Sequence, residues 1–72
     1  MNNLKKIKIQ LNVKKYQIKK GCNLEELLKI LKKKNNKVAI ELNGAIADKK
    51  KYNKIFLNKK DKIEIVQFIG GG

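Results

Sequence analysis

The apolar positions of this chain follow two rhythms. In L-K-K-I-K-I-Q-L, residues 4–11, Ile7, Ile9 and Leu11 alternate with Lys6, Lys8 and Gln10. Period two marks a strand with one buried face. The alternation resumes at Tyr16 and Ile18 and ends near Lys20, so Asn12-Val13-Lys14 joins two strands as a hairpin. Val13 is awkward there. A β-branched side chain resists positive φ, and a turn slightly longer than two residues is expected. Past Gly21-Cys22-Asn23 the rhythm changes. Leu24, Leu27, Leu28 and Leu31 are spaced i, i+3, i+4, i+7, which is one face of a helix. Asn23 with Glu26 three residues later forms a capping box. Glu25 and Glu26 in the first turn and Lys32, Lys33 and Lys34 in the last suit the helix dipole, with Asn35-Asn36 as the expected stop.

Period two returns in K-V-A-I-E-L, residues 37–42, with Val38, Ile40 and Leu42 inward. Asn43-Gly44 is a strong hairpin-turn signal. Ala45-Ile46-Ala47 reads as a short extension, and Asp48 is placed to cap one helical turn through Lys49 to Tyr52. Ile55-Phe56-Leu57 reads as an edge strand with Phe56 in the core, and Asn58-Lys59-Lys60-Asp61 as another turn. The last strand, I-E-I-V-Q-F-I over residues 63–69, runs directly into Gly70, Gly71 and Gly72. One helix is too few to cover both faces of a sheet. The expected architecture is α+β: a mixed sheet of four to five strands with the helix laid across one face. The first and last strands are the most apolar and are expected side by side at its centre, which is the β-grasp, ubiquitin-like arrangement. The 72 residues then make one domain over 1–69 and a flexible glycine tail over 70–72.

Composition changes this picture mostly by exclusion. The net charge is +13, and all 19 basic residues are lysine. Base-specific readout favours the arginine fork, and these lysines are spread along the chain instead of forming one stripe. Lysine, asparagine and isoleucine make up more than half the residues, as an A/T-rich genome would write. No nucleic-acid partner is expected. Diffuse positive charge still supports weak, salt-sensitive polyanion binding and can steer an acidic partner. There is no His, Ser, Thr, Arg, Trp or Pro. That excludes Ser-His and Cys-His nucleophile pairs, a zinc set and a phosphate loop, so no catalytic residues, no metal and no bound cofactor are expected. No apolar run approaches the roughly 20 residues of a membrane span, and the first residues lack the apolar core of a secretory signal. The protein is expected to work where it is made, in a cytoplasm or, if organelle-encoded, a plastid stroma.

Few side chains are left to carry chemistry. Cys22 sits just before the helix cap. It reads as a reactive thiol for sulfur transfer or crosslinking, or as a small apolar residue packing on Leu27, and buried cysteine is usually inert. Glu25 and Glu26 point in different directions and are explained by capping. Of Tyr16, Tyr52, Phe56 and Phe68, none is placed for base stacking, which needs aromatics clustered on an open face. Val66, Phe68 and Ile69 belong to the last strand, whose other face, Ile63 and Ile65, already fills the core. They are either a docking patch beside the tail or are covered by the turn around Tyr52 or a bulge. The tail itself can thread a narrow channel where a Cβ would clash, and its terminal carboxylate is sterically open to attack on the α-phosphate of ATP.

Four stretches, I-Q-L-N-V-K-K-Y-Q-I, L-E-E-L-L, V-A-I-E-L-N-G-A-I and D-K-I-E-I-V-Q-F-I-G-G-G, resemble the ThiS family of sulfur-carrier proteins of thiamine biosynthesis over nearly the whole chain. The most specific are the E-x-N-G-x-I turn and the final strand ending in glycines. Val13 departs from the family, which often has Gly there, and Asp48-Lys49-Lys50 replaces a commoner Pro-Arg segment. The resemblance implies a carrier, not an enzyme. An E1-like adenylyltransferase of the ThiF type would spend ATP to adenylate the Gly72 carboxylate. Sulfur from a cysteine desulfurase would convert it to a thiocarboxylate, and a thiazole synthase of the ThiG type would accept that sulfur. Gly70 and Gly71 would be the arm and Val66, Phe68 and Ile69 the docking surface of a carrier that is monomeric when free. A molybdopterin-synthase small subunit or a ubiquitin-like modifier shares fold and tail. A basic RNA-binding module and a plain structural subunit are the alternatives of other classes.

Overall fold

A computed structural model describes residues 5–68 of the chain. Its elements run β1 (Lys6–Leu11), β2 (Lys14–Lys19), α1 (Leu24–Ile30), β3 (Val38–Leu42), β4 (Ala45–Ile46) and β5 (Lys62–Gln67), with 3-10 segments at Asn35–Lys37 and Lys49–Lys54. The five strands form one sheet in the order β2-β1-β5-β3-β4. β1 and β5 are parallel, with Gln10 beside Lys62; the other pairings are antiparallel. The first and last strands are therefore neighbours at the middle of a mixed sheet, as a β-grasp requires. Ile69 and the tail, residues 70–72, lie outside the described residues.

Alternation decides which side chains enter the core. Ile9, Ile18, Val38, Ile40, Ile63 and Ile65 are buried in one cluster with Leu24, Leu27 and Leu28 of α1. The helix thus covers one face of the sheet, and each buried aliphatic side chain contributes roughly 1.5–3 kcal/mol. The capping box forms as its residues dictate: the Glu26 N–H donates to Asn23 Oδ1 at 2.8 Å, and the Asn23 N–H to Glu26 Oε1 at 3.1 Å.

Four local expectations need correction. The hairpin turn after β1 is no longer than two residues, since Leu11 pairs directly with Lys14. Asn12 and Val13 both take positive φ, +47° and +64°, so the β-branched residue accepts the strain. The reason lies across the sheet, at β5, as described below. The helix also ends early. Lys32 adopts φ +59°, its N–H bonds the Lys29 carbonyl, and the Lys33 N–H bonds the Leu28 carbonyl. This is a Schellman motif with lysine at the usual glycine position. Lys32–Lys34 therefore lie beyond the helix, and Asn35–Lys37 form a 3-10 turn instead of a stop. Residues 55–57 form no edge strand but one isolated bridge, Asn23 to Phe56. At that bridge Leu57 faces in and Phe56 faces out, 55% exposed, so Phe56 is not a core residue.

Candidate functional site

Strand β5 carries two functions on alternate residues. Ile63 and Ile65 face α1, while Glu64 and Val66 lie on the open face. On that face Val66 stands opposite Ala39, Glu64 opposite Glu41, and Glu41 opposite Ile46. Val66 is 61% exposed, Ile46 73% and Phe68 48%. No bulge intervenes, and the Tyr52 turn reaches Phe68 only through Lys49, so Val66 and much of Phe68 stay exposed. Lys49 Nζ stands 5.1 Å from the centroid of the Phe68 ring, a cation–π contact on its rim. The apolar patch lies at the end of β5 that leads, through Ile69, to Gly70, Gly71 and Gly72. Ile46 was missed from the sequence. Its signal was the two-residue Asn43-Gly44 turn, which sets Ile46 opposite Glu41 by register alone.

Two asparagines hold β5 in place. The Asn12 N–H donates to the Ile63 carbonyl at 2.9 Å, and Asn12 Oδ1 accepts the Ile65 N–H at 2.7 Å. On the other side the Asn43 N–H donates to the Lys62 carbonyl at 2.7 Å, and Asn43 Oδ1 accepts the Lys62 N–H at 2.8 Å. Each side chain continues a strand ladder where the backbone has turned away. Left-handed φ aims Asn12 at β5, and Val13 must follow it through the turn. Further along, the Phe68 N–H donates to the Lys37 carbonyl at 2.8 Å, and Lys33 Nζ to Gln67 Oε1 at 2.8 Å. The strand is thus tied down to the last described residue.

Cys22 is 3% exposed within the core cluster. Burial first, and the Glu26 carboxylate second, push its thiol above the usual cysteine pKa, against a smaller opposing effect of Lys19. It packs as a small apolar residue and stays protonated at neutral pH. Glu25 and Glu26 serve the first turn of α1, and Glu26 closes the cap. Among the described residues no three His, Cys, Asp or Glu side chains stand together as a metal site would need, and no helix is long and apolar enough to cross a membrane. The exposed patch offers apolar surface around the opposed carboxylates Glu41 and Glu64, beside the root of the glycines.

Residues 9–72 match the model of the ThiS family. The chain belongs to the ThiS family. The sulfur carrier protein ThiS of Bacillus subtilis is 38% identical over 65 residues, 89% of this chain and 98% of that protein. A thiazole synthase of Magnetococcus marinus is 41% identical over 66 residues, which are 92% of this chain but 20% of that much longer protein. The ycf40 protein of Porphyra purpurea is 31% identical over 68 residues, 94% of this chain and 96% of its own. The crystal structure of the thiamine biosynthesis protein ThiS from Geobacter metallireducens superposes with a TM-score of 0.79 at 28% identity, covering 92% of this chain and 100% of that one. The family match runs from within β1 through all of β5 to the three glycines.

Proposed function

We propose that this ThiS-family chain is a sulfur carrier of thiamine biosynthesis, working through a thiocarboxylate on Gly72. The observation that carries the reading is the match of residues 9–72, glycines included, to the ThiS family model, beside the likeness to the Bacillus sulfur carrier over 98% of that protein. A carboxylate is a poor electrophile until it holds a leaving group. In this reading the Gly72 carboxylate oxygen attacks the α-phosphorus of ATP in an E1-like activating enzyme, and pyrophosphate leaves. The terminal sulfur of a persulfide formed by a cysteine desulfurase then displaces AMP, and a thiol such as the excess cysteine reduces the resulting acyl disulfide to the thiocarboxylate, leaving as a disulfide. The folded body lends no catalytic group. It docks through Val66, Phe68 and Ile69, while Gly70 and Gly71 carry the carboxylate into the partner's site. Similarity to one fifth of a thiazole synthase supports thiazole synthase as the acceptor, because segments joined in one chain elsewhere commonly associate as separate chains.

The test is the intact mass after incubation with ATP, a ThiF-type enzyme, a cysteine desulfurase and cysteine. Exchange of one oxygen for sulfur, absent from a chain lacking Gly72, is expected. An unchanged mass with an enzyme that activates another ThiS chain would sink the proposal.

A further inference from the structure

The fold brings one lysine run of the sequence against the end of β5. The connection from α1 to β3 sets Lys32, Lys33, Lys34 and Lys37 around an open cleft of about 510 Å³, whose remaining wall includes Gln67 and Phe68. Among the described residues no Asp or Glu lines it. Lysines after a helix often serve its last carbonyls, but here the Leu28 and Lys29 carbonyls already accept the backbone N–H groups of Lys33 and Lys32. The ammonium groups are left for another role. The cleft is also braced. The Phe68 N–H bonds the Lys37 carbonyl, the Lys37 N–H bonds the Lys34 carbonyl at 3.0 Å, and Lys33 Nζ bonds the neutral Gln67 side chain. Lys49 over the Phe68 ring adds a further cation at the rim. Crowded like charges with no counter-charge are unfavourable in the free chain and become favourable against an acidic surface.

We propose that this lysine cleft is the docking site for an acidic segment, carrying Asp and Glu side chains, on the enzyme that activates Gly72. The inference rests on the sulfur-carrier reading. Four residues, 69–72, separate Phe68 from the end of the tail and span at most about 14 Å. When the tail is inserted, the cleft therefore abuts the rim of the partner's channel, while the phosphates of ATP meet the tip of the tail. A single compact cleft suits a short acidic segment better than a nucleic-acid backbone, which calls for a continuous stripe. A second lysine-lined cleft, of about 750 Å³, includes Lys5, Lys59 and Lys60 and lies toward the Lys6 end of β1. Because β1 and β5 are parallel with Gln10 beside Lys62, that end points away from Gln67, and the second cleft is a built-in control.

The experiment compares two triple variants of equal charge. One carries K32Q, K34Q and K37Q, keeping Lys33 for its bond to Gln67; the other carries K5Q, K59Q and K60Q. Activation by the ThiF-type enzyme is followed as AMP or pyrophosphate release, with thermal melts to check folding. The cleft variant is expected to raise KM for the carrier about tenfold with kcat unchanged, an effect that shrinks with salt, and the control to stay within about twofold. Equal effects in the two variants, or a loss confined to kcat, would overturn the docking proposal. Wild-type chain that is not activated at all would instead overturn the sulfur-carrier reading, and the docking site with it. A second measurement stands apart from activity: amide NMR shifts on adding a short poly-glutamate peptide or a short single-stranded DNA of equal charge. Peptide shifts confined to residues 32–37, Gln67 and Phe68 are expected. Larger shifts there with the DNA would overturn the proposal in favour of nucleic acid.

Discussion

The covered and open faces of this sheet are made by the same strands, and on β5 they differ residue by residue. Ile63 and Ile65 are buried against α1, while Glu64 and Val66 between and beside them are exposed. The fully buried strand positions of the covered face are all aliphatic: Ile9, Ile18, Val38, Ile40, Ile63 and Ile65. The open face is mixed, with Val66, Ala39 and Ile46 around the directly opposed carboxylates Glu41 and Glu64. Like charges in register weaken a sheet, and exposed valine gains it little. The side that stabilises the fold and the side that meets partners are therefore separated by one step along the backbone. A shift of register by one residue would exchange them.

That contrast can be broken most directly through stability. Ile63→Ala is expected to cost about 2–5 kcal/mol in urea unfolding, and Val66→Ala on the same strand less than about 0.5 kcal/mol. Equal losses would mean that the faces are wrongly assigned. For docking the order inverts. The double variant Val66→Ala with Phe68→Ala is expected to weaken recognition by the activating enzyme by about 1–3 kcal/mol, read as a raised KM with an unchanged melting temperature. The register that keeps the faces apart depends on Asn12. Asn12→Ala leaves the Ile65 N–H without its acceptor and should lower stability by about 1–3 kcal/mol, again by urea unfolding. Its neighbour sharpens the point from the other side: Val13→Gly relieves a left-handed β-branched residue and should gain up to about 1 kcal/mol, once the freer unfolded chain is counted.

The smallest effect concerns Tyr52, 1% exposed, whose hydroxyl has no hydrogen-bond partner among the described residues. Burial pushes its pKa above the ordinary tyrosine value; the nearby Ile40 backbone offsets this in part, and Asp48 adds to it. The folded chain therefore keeps a proton that the unfolded chain releases. Stability from this group is whole below the unfolded value of about 10 and falls as pH rises from there toward the folded value. Tyr52→Phe should match or exceed the wild type by up to about 1 kcal/mol at neutral pH. The gap should widen above about pH 10 in paired denaturation curves of the two chains.

Much of this was readable from residue order. Period two located β1, β2, β3 and β5, the leucine spacing located α1, and Asn23 with Glu26 fixed its start. Asn43-Gly44 specified its turn because both residues adopt positive φ cheaply. The failures share one cause. Lys32–Lys34 have good helix propensity, yet α1 stops because the chain must turn back to feed β3. Phe56 is the largest residue of its apolar run, yet a single bridge at Asn23 turns it outward. Val13 argues for a longer turn, yet the bonds from Asn12 to β5 outweigh its strain.

By itself, then, the sequence determined the four main strands, the start of α1, the apolar face of each and the ThiS resemblance, because period and capping are local. The tertiary structure decided which apolar residues remain outside, how β5 is anchored, and that lysines remote from the tail in sequence meet Gln67 and Phe68 at its root. Those depend on pairing between distant strands and on where the chain reverses after α1, and neither is encoded in the spacing of any one segment.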